Sequence, residues 1–215
     1  SIFREGPVGI VAASGSGAQE VACLLEECGL GISELIGTGG RDLYPQIGGM
    51  QMLQGMRRLD EDEKTQVIVL VSKLAVFLGG DKELFEGHKA AAAFSLEEAA
   101  VRAAELAKPG QTFSFRYPEE EIERIVRREM EQYDAEQKYF RGLYCGGTFT
   151  EEGLLYYSRI QGITLYSNLE TRYAKKLPDS HRSIGNSILD MGAEDFTSEA
   201  PHPVFDPKLR IRRLL

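Results

Sequence analysis

Two short strings of glycine and hydroxyl residues, Ala13-Ser14-Gly15-Ser16-Gly17 and Cys145-Gly146-Gly147-Thr148, stand where an apolar run gives way to a helical pattern. Glycine lets a backbone approach a ligand closely, and a helix start leaves several N–H groups unpaired. Those donors and the positive end of the helix dipole suit a phosphate or carboxylate. One such turn is common; two in one chain suggest two helix ends aimed at the same anion. The cations best placed to assist are Arg41, in the glycine loop Gly37-Thr38-Gly39-Gly40, and Lys73, after an apolar strand. Three histidines remain. His202 is fixed between Pro201 and Pro203, His181 has no companion ligand and reads as surface, and His88 sits in a loop before a helix. Cys145, beside the second turn, could lie near the helix start that would bind an anion, where the helix dipole would lower its pKa; the simpler reading is a small residue ending a buried strand.

The elements that must position these residues alternate. Val8 to Ala12 reads as a buried parallel strand, and Ala18 to Cys28 as a helix, with Ser16 as its cap, Gln19 three residues on and Gly29 as its stop. Glu34-Leu35-Ile36 is a short strand, Met50, Leu53, Met56 and Leu59 mark an amphipathic helix, and Val67 to Val71 is a third strand. This is the rhythm of an open α/β sheet. Leu74 to Leu78 is another strand-like run only two residues later, too close for a parallel crossover, so either a helical connection is missing there or the two runs form one long strand or an unusual hairpin. Ser95-Leu96-Glu97-Glu98 opens an alanine-rich helix ending near Lys108-Pro109-Gly110. Pro118 and three glutamates open a charged helix whose stripe of Ile122, Ile125, Val126, Met130 and Tyr133 reads as a docking face. A second α/β unit begins at Arg141: strand Gly142 to Cys145, helix Thr150 to Ile160, strand and loop Ser187 to Gly192, and a helix from Asp206-Pro207. The expected architecture is two flavodoxin-like, doubly wound α/β domains. Residues 1–110 form the first, 111–140 a linking helix, and 141–215 the start of a second that looks cut short.

A formal charge of −8 argues against a protein that grips nucleic acid through its phosphates. No apolar run is long enough to span a bilayer, and no charged-then-apolar leader precedes Val8, so neither membrane nor secretion is expected. Three cysteines without metal-ligand spacing suit a reducing cytoplasm; Cys23 and Cys28 read as packing residues, and no metal site is expected.

The string Gly6 to Gly17 resembles the start of the ligase domain in the α subunit of nucleotide-dependent succinyl-CoA synthetases, and Gly37 to Gly40 is similar to that domain's next glycine loop. Leu143 to Thr150 and Ile188-Leu189-Asp190-Met191-Gly192 resemble the carboxy-terminal domain of the β subunit. One chain carrying both halves is the plan of the FdrA family of acyl-CoA-synthetase-like proteins. The strings Ile36 to Leu43 and Pro201 to Pro207 are especially similar to it. The resemblance implies a succinate–CoA-ligase-like (acid–thiol ligase) protein binding a small anion between an α-type helix start, Ser14 to Gly17, and a β-type one, Gly146 to Thr148. Gly37 to Gly40 and Arg41 would assist. It implies a phosphohistidine at His88, within Gly87-His88-Lys89-Ala90-Ala91, where lysine and alanine depart from the synthetase pattern. A second departure is Ser72-Lys73, which stands where the synthetases have a carboxylate; Lys73 suits an anionic ligand instead. CoA and ATP or ADP with magnesium would come through domains or subunits outside this chain, and homo- or hetero-oligomers are implied. FdrA-type proteins are also linked to oxamate carbamoyltransferase complexes, so a carbamoyl phosphate-using subunit is the alternative enzyme. A non-catalytic protein that binds an anion or a partner is the third reading.

Overall fold

A computed structural model describes residues 2–72, 92–198 and 200–214. The strand-like run at Leu74 to Leu78 and its unusually short connection lie outside the described residues, as do Lys73 and His88.

The first sheet has strand order β2-β1-β3, with β1 over Glu5–Ala12, β2 over Ile32–Gly37 and β3 over Val67–Val71. Both pairings are parallel, and Ala12 lies opposite Gly37 on one side and Val71 on the other, so three strands end level. The alternation of a strand sends successive side chains of β1 to opposite faces. Val8, Ile10 and Ala12 pack under helices α1 (Gly15–Glu27) and α3 (Leu96–Ala107), while Val11 and Ala13 pack under α2 (Met50–Asp60). Helices thus cover both faces, which is why β1 is apolar almost throughout.

The second sheet has order β4-β7-β5-β6, with β4 over Arg141–Tyr144, β5 over Leu165–Ser167, β6 over Lys175–Lys176 and β7 over Asn186–Asp190. All its pairings are parallel as well. Ile188 of β7 joins Leu154 and Leu165 on one face, and Leu189 joins Leu177, Met191 and Phe196 on the other. Helix α5 spans Gly147–Tyr157, and the short helices α6 (Glu194–Thr197) and α7 (Lys208–Leu214) follow β7. The protein is therefore α/β with parallel sheets, consistent with a flavodoxin-like fold. No helix among the described residues is long and apolar enough to cross a membrane.

Several expectations shift by physical cause. The cap of α1 is Ser14, not Ser16: its hydroxyl accepts the Gly17 N–H at 3.1 Å, and Gly15 already takes helical geometry. Helix α5 starts at Gly147, three residues earlier than Thr150. In α2 the buried residues are Met52, Gly55 and Leu59, whereas Met50 and Leu53 are exposed; the contact face is set by Val11, whose Cγ1 would lie 2.8 Å from a Cβ at residue 55. Cys23 is exposed rather than packed. Gly29, at φ +68°, does stop α1. Ser95 does cap α3 by accepting the Glu98 N–H at 2.9 Å, and the Glu98 carboxylate reaches back to the Phe94 N–H. Helix α4, Glu119–Glu131, follows Pro118 and buries none of its residues.

Candidate functional site: two helix starts in contact

In an open sheet, ligands lie outside the carboxyl ends of the strands, where strand order reverses. Here the chain leaves β1 for β2 on one side and returns to β3 on the other, so the reversal falls at Ala13-Ser14. The Ala13 N–H donates to the Val71 carbonyl at 2.8 Å and the Thr38 N–H to the Ala12 carbonyl at 2.8 Å. Thr38 is thereby pinned beside the first glycine string, with its side-chain hydroxyl on the Ala12 carbonyl at 3.4 Å.

The second glycine string arrives at this point from the other sheet. Thr148 Oγ1 donates to Ser14 Oγ at 2.6 Å, and both side chains are fully buried. Ser14 Oγ therefore accepts from Thr148 and from the Gly17 N–H together. Both acceptor positions of the buried Ser14 hydroxyl are thus used, and the residue ties the two helix starts together.

The glycines of the two strings divide into two roles. A Cβ at Gly17 would lie 2.9 Å from Val71 Cγ1 and 3.2 Å from Thr148 Cγ2, and one at Gly146 would lie 2.6 Å from Ser16 Oγ. These two let the helix starts touch. At Gly15, Gly37 and Gly39 a Cβ would meet nothing within 4 Å, so the backbone there faces open space. Gly40 and Arg41 are exposed on the following turn.

The first-turn sequences of α1 and α5 differ from those of most other helices, although the Asp190 carboxylate stands beside the start of α5. Neither has an acidic residue in its first turn. By contrast α3, α4 and α6 carry first-turn acids, and the Asp206 carboxylate accepts the Lys208 N–H of α7. Helix α2 is capped from a distance by Asp42, a buried residue whose two oxygens accept the Gln51 and Met52 N–H groups at 3.0 and 2.8 Å. The sequence reading missed Asp42, because it lies well before the helix it caps and outside the usual capping spacing.

Asp190 borders the second helix start, its Oδ2 3.5 Å from where a Cβ of Gly147 would be. Its backbone is clamped by Asn168, whose side chain accepts the Asp190 N–H at 2.9 Å and donates to its carbonyl at 3.0 Å. Asp190 Oδ1 also accepts the Gly192 N–H. His202 lies over Gly192, and its Nδ1 accepts the Val204 N–H at 3.2 Å. The other histidine, His181, packs edge-on to Phe196. Burial pushes the Cys145 thiol above its usual pKa, against the partial opposing pull of Arg210.

The α1–α5 contact is extended by Glu152, whose Oε1 accepts the Leu96 N–H at 3.0 Å. Burial raises the Glu152 pKa; the Leu96 bond opposes this, and the nearby Glu20 and Glu97 add to the rise. The folded state thus holds this proton more tightly than the unfolded chain, so stability falls as pH rises from the ordinary glutamate value of about 4.3 through the raised one. Glu152→Gln keeps an oxygen for Leu96 and removes the charge. It is expected to melt at a higher temperature than the parent at pH near 8, with the gap closing near pH 4, as thermal unfolding across that range would record.

No family model matches the chain. An uncharacterized protein of Escherichia coli strain K12, YahF, is 35% identical over 234 residues, which cover 99% of this chain and 45% of the relative. The α subunit of an ADP-forming succinate–CoA ligase from Methanothermobacter thermautotrophicus is 35% identical over 82 residues, 38% of this chain and 25% of the subunit. The α subunit of a malate–CoA ligase from Methylorubrum extorquens is 29% identical over 82 residues. This chain therefore contains a CoA-ligase-like domain. It spans less than half the length of the curated relatives it matches.

Proposed function

We propose that this chain is an FdrA-type, acyl-CoA-synthetase-like protein that holds a phosphate or carboxylate group between the N-termini of α1 and α5. The observation that carries this reading is the Thr148–Ser14 hydroxyl contact at 2.6 Å, which brings together two helix starts that have no first-turn acid. Backbone N–H groups near Gly15 and Gly147 supply donors, and Ser14 holds the two helix starts together. Gly37 and Gly39 leave room at the neighbouring strand end, and Arg41 adds charge on the turn that follows. Preorganised donors of this kind hold an anion in place and stabilise charge that builds on it during group transfer.

Two of the similar proteins are CoA ligases, and the succinate ligase is ADP-forming, which brings both CoA and ADP into consideration here. The open backbone at Gly15, Gly37 and Gly39 fits the phosphate or carboxylate portion of such reactants. When bound, they would supply the acyl phosphate and thioester chemistry of an acid–thiol ligase. This chain's own residues bind and orient the anion and keep the Ser14–Thr148 side of it dry.

Orthophosphate or carbamoyl phosphate at about 100 times its dissociation constant should stabilise the fold by about 2.7 kcal/mol. For a chain of this size that is a rise of roughly 5–10 °C in melting temperature. Failure of orthophosphate, carbamoyl phosphate and succinate alike to raise it would sink the reading. A response to carbamoyl phosphate alone, with turnover only on adding partner subunits, would identify the carbamoyltransferase arm.

A further inference from the structure

Helix α4 has an apolar stripe that none of the described residues buries. Every residue from 122 to 139 is exposed, and Ile122, Val126 and Met130 are 48%, 54% and 61% exposed. A 13-residue helix is marginal in water on its own, and its stability in proteins comes mainly from packing an apolar face. Scattered exposed apolar residues need no explanation, but a continuous stripe on a regular helix marks a contact surface.

The charges beside the stripe indicate what covers it. At about 100° per residue, Glu123 and Arg127 flank one edge and Glu121 and Arg128 flank the other. On both edges the glutamate lies toward the N-terminus and the arginine toward the C-terminus. Two copies of α4 set antiparallel about an axis beside Ile125 place Glu123 of each against Arg127 of its partner, while Glu121 and Arg128 are held within each chain by Arg124 and Glu129. A parallel pair would set glutamate against glutamate and arginine against arginine. The stripe is therefore complementary to itself in one orientation, which is what a two-fold interface requires. Glu129 falls within the stripe, and Arg128 holds it through Nε and Nη2 at 2.9 and 2.6 Å. In the same register Tyr117 of one copy stands near Tyr133 of the other, and both are exposed in the single chain.

We infer that the exposed face of α4 is a homodimer interface, two copies of this chain pairing antiparallel through Ile122, Ile125, Val126 and Met130 with reciprocal Glu123–Arg127 contacts. One 13-residue helix pairing with its copy makes a small contact, so weak association, with a dissociation constant on the order of 10 µM, is expected. The pairing is independent of what the cradle between α1 and α5 binds.

Sedimentation of the full 215-residue chain from about 1 to 200 µM tests this. The parent is expected to shift from monomer to dimer across that range. Val126→Lys should remain monomeric throughout with an unchanged circular dichroism spectrum, since α4 buries none of its residues. Glu123→Arg and Arg127→Glu should each weaken self-association by roughly tenfold, because each sets two like-charge contacts per dimer. An equimolar mixture of these two variants should recover the parent's association, since the mixed dimer restores both pairs. A parent that stays monomeric at the top concentration leaves the stripe to a different polypeptide and overturns the inference. So does a dimer indifferent to Val126→Lys, or a mixture that fails to recover.

Discussion

Gly15→Asp is expected to remove anion binding while leaving the fold at least as stable as the parent. Gly15 is the first helical residue of α1 and is exposed, with nothing within 4 Å of where its Cβ would go. Its φ is not in the left-handed region, so a side chain can be added there without backbone strain. An acid in the first turn of a helix stabilises it by about 0.3–1 kcal/mol, and replacing glycine adds to that. The same carboxylate occupies the space proposed for the ligand. At about 4 Å and an effective dielectric near 20, two like charges repel by about 4 kcal/mol, which allowing for screening is a loss of affinity of at least ~100-fold. Gly15→Ala separates charge from bulk: it should keep most of the affinity and also melt no lower than the parent. Calorimetric titration with orthophosphate and carbamoyl phosphate, alongside thermal unfolding, reads both quantities. Undiminished binding by Gly15→Asp would place the anion elsewhere.

The strand-to-helix junctions were legible because glycine and hydroxyl residues interrupt an apolar run in few other ways. Both glycine strings sit at such junctions, and Gly29 and Ser95 do what their types suggest. The details that went astray are those decided by distant partners. Ser14 outcompetes Ser16 as cap because the last bond of the sheet, Ala13 to Val71, already fixes it at the helix mouth. Asp42 caps α2 across a turn through Gly48-Gly49, which no local spacing rule describes. The face of α2 follows Val11 and Ile36 beneath Gly55, so Met52 is buried while the equally apolar Leu53 faces outward.

The meeting of the two helix starts was not readable from either string alone. It depends on Gly17 and Gly146, which look like ligand-cradling glycines in the sequence but serve here as contact surfaces for Thr148 and Ser16. Their neighbour Gly15 keeps the open position. A glycine string thus carries two meanings that only the opposing chain can tell apart, and the distinction matters for choosing variants. Substitution at Gly17 or Gly146 would disturb the contact between the helix starts, whereas substitution at Gly15 addresses the ligand alone.

The largest loss of stability is expected from a glycine that no motif contains. Gly31 precedes β2 and is buried; a Cβ there would lie 2.2 Å from the Arg4 carbonyl oxygen and 2.5 Å from that of Glu5. From the other side, a Cβ at Gly6 would lie 2.5 Å from the Gly31 backbone. The two glycines cross where the register of β1 against β2 slips, Glu5 and Val8 both facing Ile32. Pro7 falls inside that bulge, where its missing N–H costs no ladder bond, and its carbonyl is used by the Gln66 N–H at 2.8 Å. The obstacles to a side chain at 31 are backbone atoms, which cannot rotate away, so Gly31→Ala must push β1 from β2 and break the Ile32 N–H bond to the Arg4 carbonyl. Overpacking of this kind costs typically 1–3 kcal/mol and more when backbone must move. With the lost bond, about 3–4 kcal/mol is expected, or roughly 6–15 °C in melting temperature. Gly6→Ala should cost a similar amount, and the double variant clearly less than the two together, because both side chains open the same gap. Because β1 leads through Ala13 into Ser14, the loosened strand should also weaken anion binding, in contrast to Gly15→Ala. Additive losses at 6 and 31 would mean that the two glycines serve separate constraints rather than one crossing.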